Sequence, residues 1–85
     1  MTYYLTAQYD RHKQFYRKAA VNVFLGTLTL FSYKTVVAKI YKEKGIAEVY
    51  NLQSPTTLRH VMEFLKQNGF KAESRAQIVR DYVSR

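Results

Sequence analysis

Acid–base chemistry in this chain would have to be built from two histidines, His12 and His60, and from six scattered carboxylates. Catalysis needs such groups gathered at suitable spacing, and no gathering is evident. His60 is the residue of interest. It closes the run Thr56-Thr57-Leu58-Arg59-His60 in the first turns of an expected helix. There it could serve as a general base or a phosphate ligand, with Arg59 and the helix N-terminus completing an anion site. The plainer account is a packed, hydrogen-bonded histidine that ties the helix to a sheet. A small hydrolase built on His60 and Glu63 ranks below any binding function. With no cysteine and no HxxxH or DxD spacing, the two histidines do not make a metal site. The glycines Gly26, Gly45 and Gly69 are isolated, so no phosphate-binding loop is present. The chain is expected to be non-catalytic and to carry neither metal nor cofactor.

Cations beside aromatic rings are the second kind of chemistry on offer. Thirteen aromatics, eight of them tyrosine, are a heavy share for 85 residues. They alternate with basic residues through the first half, in Arg11, Lys13, Phe15, Tyr16, Arg17 and Lys18, then in Phe31, Tyr33, Lys34, Lys39, Tyr41 and Lys42. Bases stack on rings while phosphates meet Lys or Arg, so the pattern suits single-stranded nucleic acid. No RRM-type consensus accompanies it, and in so small a domain many of these rings must also serve the core. Near the C-terminus, Arg75, Gln77 and Arg80 would lie on the outer face of a recognition helix if the last two helices formed a helix-turn-helix.

The elements that must position these residues follow from periodicity. Ala20 to Leu25, Thr27 to Tyr33, Thr35 to Tyr41 and Ile46 to Leu52 are β-rich, separated by Gly26, by a short junction and by Lys42-Glu43-Lys44-Gly45. After Gln53 the period changes to that of a helix, with Leu58, Val61, Met62 and Leu65 on one stripe. Ser54 is the expected N-cap, Pro55 the first helical residue, and Asn68-Gly69-Phe70 a Schellman closure. Ser74 and Gln77 open a second helix as a capping box. Gln8 to Ala20 reads as irregular or short-helical. The expected fold is α+β: an antiparallel sheet of three to four strands followed by two C-terminal helices packed on one face, in a single domain spanning 1–85.

Charge and composition bound the partner. Fourteen Lys and Arg against six Asp and Glu give a formal charge of +8, and residues 1 to 42 hold seven basic side chains against one acidic. Such a field favours phosphate backbones, nucleoproteins or acidic protein surfaces. The absence of cysteine, of a secretion signal and of a long apolar stretch points to a cytoplasmic protein without a membrane span. An exposed edge strand in so short a sheet offers pairing with a second copy and a two-fold homodimer.

Three segments in this order, Phe15-Tyr16-Arg17-Lys18-Ala19, Leu30 to Ala38 and Ser54 to Leu65, resemble an uncharacterised family of short proteins encoded by phages, prophages and plasmids. The family patterns are FYGKA, SYxTxVA and YSxTTxRHxxxFL; Arg17 stands where they carry glycine, and Pro55 precedes the Thr-Thr pair. The resemblance implies an accessory protein of a mobile element that acts in the host cytoplasm. Its expected partner is a host nucleoprotein, above all a CRISPR-type defence nuclease that it would inhibit, and the alternative is a regulator that binds DNA or RNA. The residues expected to carry binding are Arg11, Lys13, Arg17, Lys18, Tyr33, Lys34, Lys39, Tyr41, Lys42, Arg59, Arg75 and Arg80.

Overall fold

Alternating apolar and polar residues from Ala19 to Val49 build a sheet with one dry and one wet face. A computed structural model describes residues 1–11 and 15–83. Its strands are β1 (Thr2–Tyr4), β2 (Ala19–Phe24), β3 (Thr27–Ser32), β4 (Thr35–Tyr41) and β5 (Ile46–Val49), followed by the helices α1 (Pro55–Gln67) and α2 (Arg75–Tyr82). The five strands form one antiparallel sheet in the order β1-β2-β3-β4-β5. The expected three to four strands thus become five. The addition is β1, whose residues Thr2, Tyr3 and Tyr4 pair with Asn22, Val21 and Ala20. Three residues are too short a run to show a period, and only pairing with β2 makes them a strand.

Between Leu30 and Phe31 the β3–β4 register shifts, leaving Val37 as an extra residue and Ala38 opposite Leu30. Both Val37 and Ala38 are buried in consequence. The inward set Val21, Leu28, Leu30, Ile40, Ala47 and Val49 meets Val61, Phe64 and Leu65 of α1 and Ile78 of α2 in one continuous core. Burying each of the larger side chains is worth roughly 1.5–3 kcal/mol. α1 packs against β3 and β4, and α2 beside β5. The chain leaving α2 adds a single parallel bridge from Val83 to Val49, at the end of the outer edge of β5. β1 is the other edge.

Both helices begin and end as their sequences require. The Ser54 hydroxyl accepts from the Thr57 amide at 3.0 Å, with Pro55 opening α1. At its end Phe70 N–H donates to Leu65 O and Gly69 N–H to Lys66 O, with Gly69 at φ +81°, the Schellman pattern. Ser74 caps α2 through the Gln77 amide, while the Gln77 side chain reaches the Glu73 amide, one residue upstream of a standard capping box. No helix among the described residues is long and apolar enough to cross a membrane.

Candidate nucleic-acid interface

Among the described residues no helix lies over the outer face of the sheet. Its residues are Thr2 and Tyr4 on β1, Ala20, Asn22 and Phe24 on β2, Thr27, Thr29 and Phe31 on β3, Val36, Lys39 and Tyr41 on β4, and Ile46 and Glu48 on β5. None of them is buried. At the end nearest the β3–β4 hairpin this face deepens into a shallow groove of about 790 Å³ lined by Thr2, Tyr4, Tyr16, Arg17, Lys18, Ala20, Asn22, Phe31, Tyr33 and Lys34. Three of those side chains are cationic and none is acidic.

Two tight turns form the rim. Tyr33 and Lys34 link β3 to β4 as a two-residue loop with φ of +51° and +71°. Tyr16 and Arg17 form the other, at φ +50° and +60°, closed by the Lys18 amide donating to Phe15 O at 2.8 Å. Paired positive φ values define a type I′ turn, which favours Asn and Gly. Four bulky residues in the left-handed region are strained, at about 1–2 kcal/mol each. The φ of Arg17 gives a physical reason for a glycine at that position. The turns are neighbours, because Tyr33 N–H donates to Lys18 O at 2.9 Å. The Arg17 guanidinium lies 5.5 Å from the centre of the Tyr4 ring, and the Lys18 ammonium 5.5 Å from that of Tyr33.

A buried polar network holds both turns from beneath. His60 Nδ1 is 2.8 Å from Ser32 Oγ, which is 3.3 Å from Thr57 Oγ1, and Thr57 Oγ1 accepts from Ser54 Oγ at 2.9 Å. The imidazole also meets the Phe15 ring edge-on at 4.7 Å and lies 6.0 Å from Tyr33. His60 therefore touches Phe15 and Ser32, the residues that lead into the two strained turns. Strain of this kind persists only where the surroundings over-determine it. His60 is 0% exposed and its Nε2 has no hydrogen-bond partner among the described residues. The proton belongs on Nδ1, donating to Ser32, since the other tautomer would bury an N–H with no acceptor. Desolvation first, and then the Arg59 charge, lower the His60 pKa to about 4, against a smaller opposing pull from Asp10.

A hydroxyl 2.8 Å from an imidazole has the spacing of a nucleophile and its base. Here Ser32 is 2% exposed and His60 fully covered, so a substrate has no approach to the pair. The arrangement holds the helix to the sheet, as the plainer account of His60 expects. Glu63, also buried, accepts from the Tyr9 and Asp10 amides at 2.8 and 2.9 Å and from Gln67 at 2.6 Å, which anchors the segment after β1. Among the described residues no cluster of His, Asp and Glu could hold a metal ion.

The expected binding residues divide into groups. Arg17, Lys18, Tyr33 and Lys34 meet at the groove. Lys39 and Tyr41 stand further along the same face, opposite Thr29 and Thr27, with Lys44 at 5.9 Å from the Tyr41 ring centre and Lys42 exposed in the next turn. Glu48 adds one negative charge there, accepting from the Tyr50 and Tyr41 hydroxyls. Arg59 does not line the groove: its guanidinium lies 5.5 Å from the centre of the Phe15 ring and forms a two-pronged ion pair with Asp10 at 2.7 and 3.0 Å, beside Arg11 in a smaller hollow of about 290 Å³. Arg75 and Arg80 are exposed on α2, Arg80 against Asp81. Gln77, expected on the outer face of that helix, is buried instead, with its amide donating to Lys71 O and Asp81. A recognition helix would thus lose its central reader. Lys13 lies outside the described residues. Sequence reasoning missed Thr2 and Tyr4, which enter the groove only because β1 joins the sheet, and Asn22, which faces it from β2.

Fold and interface together define a small α+β protein whose meander is backed by helices and presents an aromatic and cationic outer face. The chain belongs to a family of unknown function (DUF8033), which matches residues 3–80. No curated protein and no solved structure matches it.

Proposed function

We propose that this chain is a non-catalytic binding protein whose outer sheet face takes single-stranded nucleic acid, free or carried by a host nucleoprotein. One observation carries the reading. The helices back the sheet on one side, and the groove on its open side gathers Tyr4, Phe31 and Tyr33 with Arg17, Lys18 and Lys34 and has no carboxylate in its described lining. Exposed rings supply stacking surfaces tolerant of base identity, and the cations supply the phosphate contacts. A duplex offers its bases only at groove edges, so this face favours single strands.

The resemblance to short proteins of mobile elements supports a host nucleoprotein, such as a CRISPR-type defence nuclease, as the carrier of that nucleic acid. The protein would then act in the host cytoplasm as a stoichiometric inhibitor. Any self-association would use the β1 edge, since the outer edge of β5 holds Val83.

Fluorescence anisotropy with short labelled oligonucleotides at low salt tests the first part of the proposal. Binding that weakens linearly in log–log form as salt rises is expected, and a flat titration at the lowest salt would falsify it. Affinity purification from host cells, with and without nuclease treatment, tests the second part: recovery of a nucleoprotein that nuclease abolishes is expected, and recovery indifferent to nuclease would point to an acidic protein surface instead.

A further inference from the structure

Resting on that reading, we propose that the two strained turns, Tyr16–Arg17 and Tyr33–Lys34, are the jaws of a clamp that receives an unstacked nucleobase of the strand and grips its flanking phosphates. Each turn presents the same pair of chemistries, a tyrosine followed by a cation, at left-handed backbone positions. The hydrogen bond from Tyr33 N–H to Lys18 O sets the turns side by side, and both open on one groove. Tyr16 is 77% exposed and Tyr33 51% exposed, large apolar surfaces that the fold leaves uncovered although its core lies immediately beneath. Backbone strain retained at exposed tips, where glycine would relieve it, marks side chains kept for what they meet in solution.

The groove floor adds a polar element. Asn22 Oδ1 accepts from Thr2 Oγ1 at 3.0 Å. That bond orients the side-chain amide and leaves its Nδ2 donors for the oxygen or ring-nitrogen acceptors on a base edge. The side walls are aromatic, from Tyr4 and Phe31, and the rim is positive, from Arg17, Lys18 and Lys34. Such a site takes a flat, acceptor-bearing ring attached to an anionic backbone. Both single-stranded DNA and single-stranded RNA carry that chemistry.

The two jaws can be dissected without unfolding the chain, because Arg17→Gly and Lys34→Gly place glycine where φ is already positive. Anisotropy is read with short oligothymidylate, oligouridylate, oligodeoxyuridylate, an abasic oligomer of equal charge and a duplex of equal length. The clamp predicts that the Arg17→Gly, Lys34→Gly double variant keeps or gains thermal stability while its salt slope falls by about 1.4, at roughly 0.7 per phosphate contact on a single strand. Tyr16→Ala and Tyr33→Ala should each weaken binding by roughly 5- to 150-fold with the slope unchanged. The abasic oligomer should bind more weakly than oligothymidylate by a similar factor. The ratio of oligouridylate to oligodeoxyuridylate affinity, a pair that differs only in the 2′-hydroxyl, tells which sugar the site prefers, and weak binding of either one leaves the other as its ligand.

Failure takes two distinguishable forms. If the unaltered protein binds no oligonucleotide, the proposed function falls and the clamp with it. If it binds, but the glycine and alanine variants match it while Lys39→Ala loses affinity, the function stands and the clamp is overturned. Abasic or duplex probes bound as tightly as single strands would equally overturn the clamp.

Discussion

Acidification should destabilise this protein through His60. Its imidazole is fully buried, with Nδ1 engaged by Ser32 and Nε2 without a hydrogen-bond partner among the described residues. Protonation would therefore place both a charge and an unreceived N–H donor in the core. The folded chain resists the proton until about pH 4, whereas an unfolded histidine takes it up near pH 6.5. Between those values the unfolded state binds more protons, so stability is complete above about pH 6.5 and declines as pH falls toward 4. At about 1.4 kcal/mol per unit, the loss across the window amounts to about 3 kcal/mol. A chain of this size has a total stability of roughly 4–13 kcal/mol, so the loss is a sizeable fraction. The assay is urea denaturation followed by circular dichroism at intervals from pH 7 to pH 4.5, on the native chain and on His60→Gln, which cannot take a proton. The native chain should lose about 1.4 kcal/mol per unit more steeply than the variant over this range. Parallel pH profiles for the two proteins, or an imidazole NMR titration with its midpoint near the unperturbed value, would refute the reasoning.

Three further outcomes follow from the same geometry. Glu63→Ala should cost roughly 2–4 kcal/mol, read as a lower urea midpoint, because the Tyr9 and Asp10 amides lose their common acceptor. Lys34→Gly should stabilise by about 0.5–1 kcal/mol, the relief of left-handed strain less the added freedom of the unfolded chain, and a lower melting temperature would contradict it. Ser74→Ala removes the cap of α2 and should cost about 1 kcal/mol, with faster amide exchange at Gln77 as the local readout.

Much of the fold was legible because its signals are local. The cap at Ser54, Pro55 at the start of α1, the closure at Gly69 and the cap at Ser74 each depend on residues a few positions apart. The strands β2 to β5 were legible from alternation and from their turn residues, although β5 ends at Val49 and not at Leu52. β1 was not, since Thr2, Tyr3 and Tyr4 acquire strand geometry from β2, about twenty residues away. Gln77 was misplaced for a related reason: helical periodicity put it on the outer face of α2, while bonds to Glu73, Lys71 and Asp81 draw its side chain inward. The candidate interface was legible as composition but not as shape. Arg17, Lys18, Tyr33 and Lys34 were singled out as cations and rings, yet nothing local unites the two turns or keeps Arg59 out of the groove they line.

By itself the sequence determined the α+β class, the two capped helices, the excess of positive charge in the first half and the poverty of catalytic groupings, because propensity, capping and charge are properties of neighbouring residues. Only the tertiary structure decided that His60 lies beneath both Phe15 and Ser32, that two non-glycine turns are held side by side under strain, and that one face of the sheet is left open. Those features depend on contacts between residues 15 to 45 positions apart, made as the two turns pair and as α1 folds back on the sheet, and they have no periodic trace in the chain.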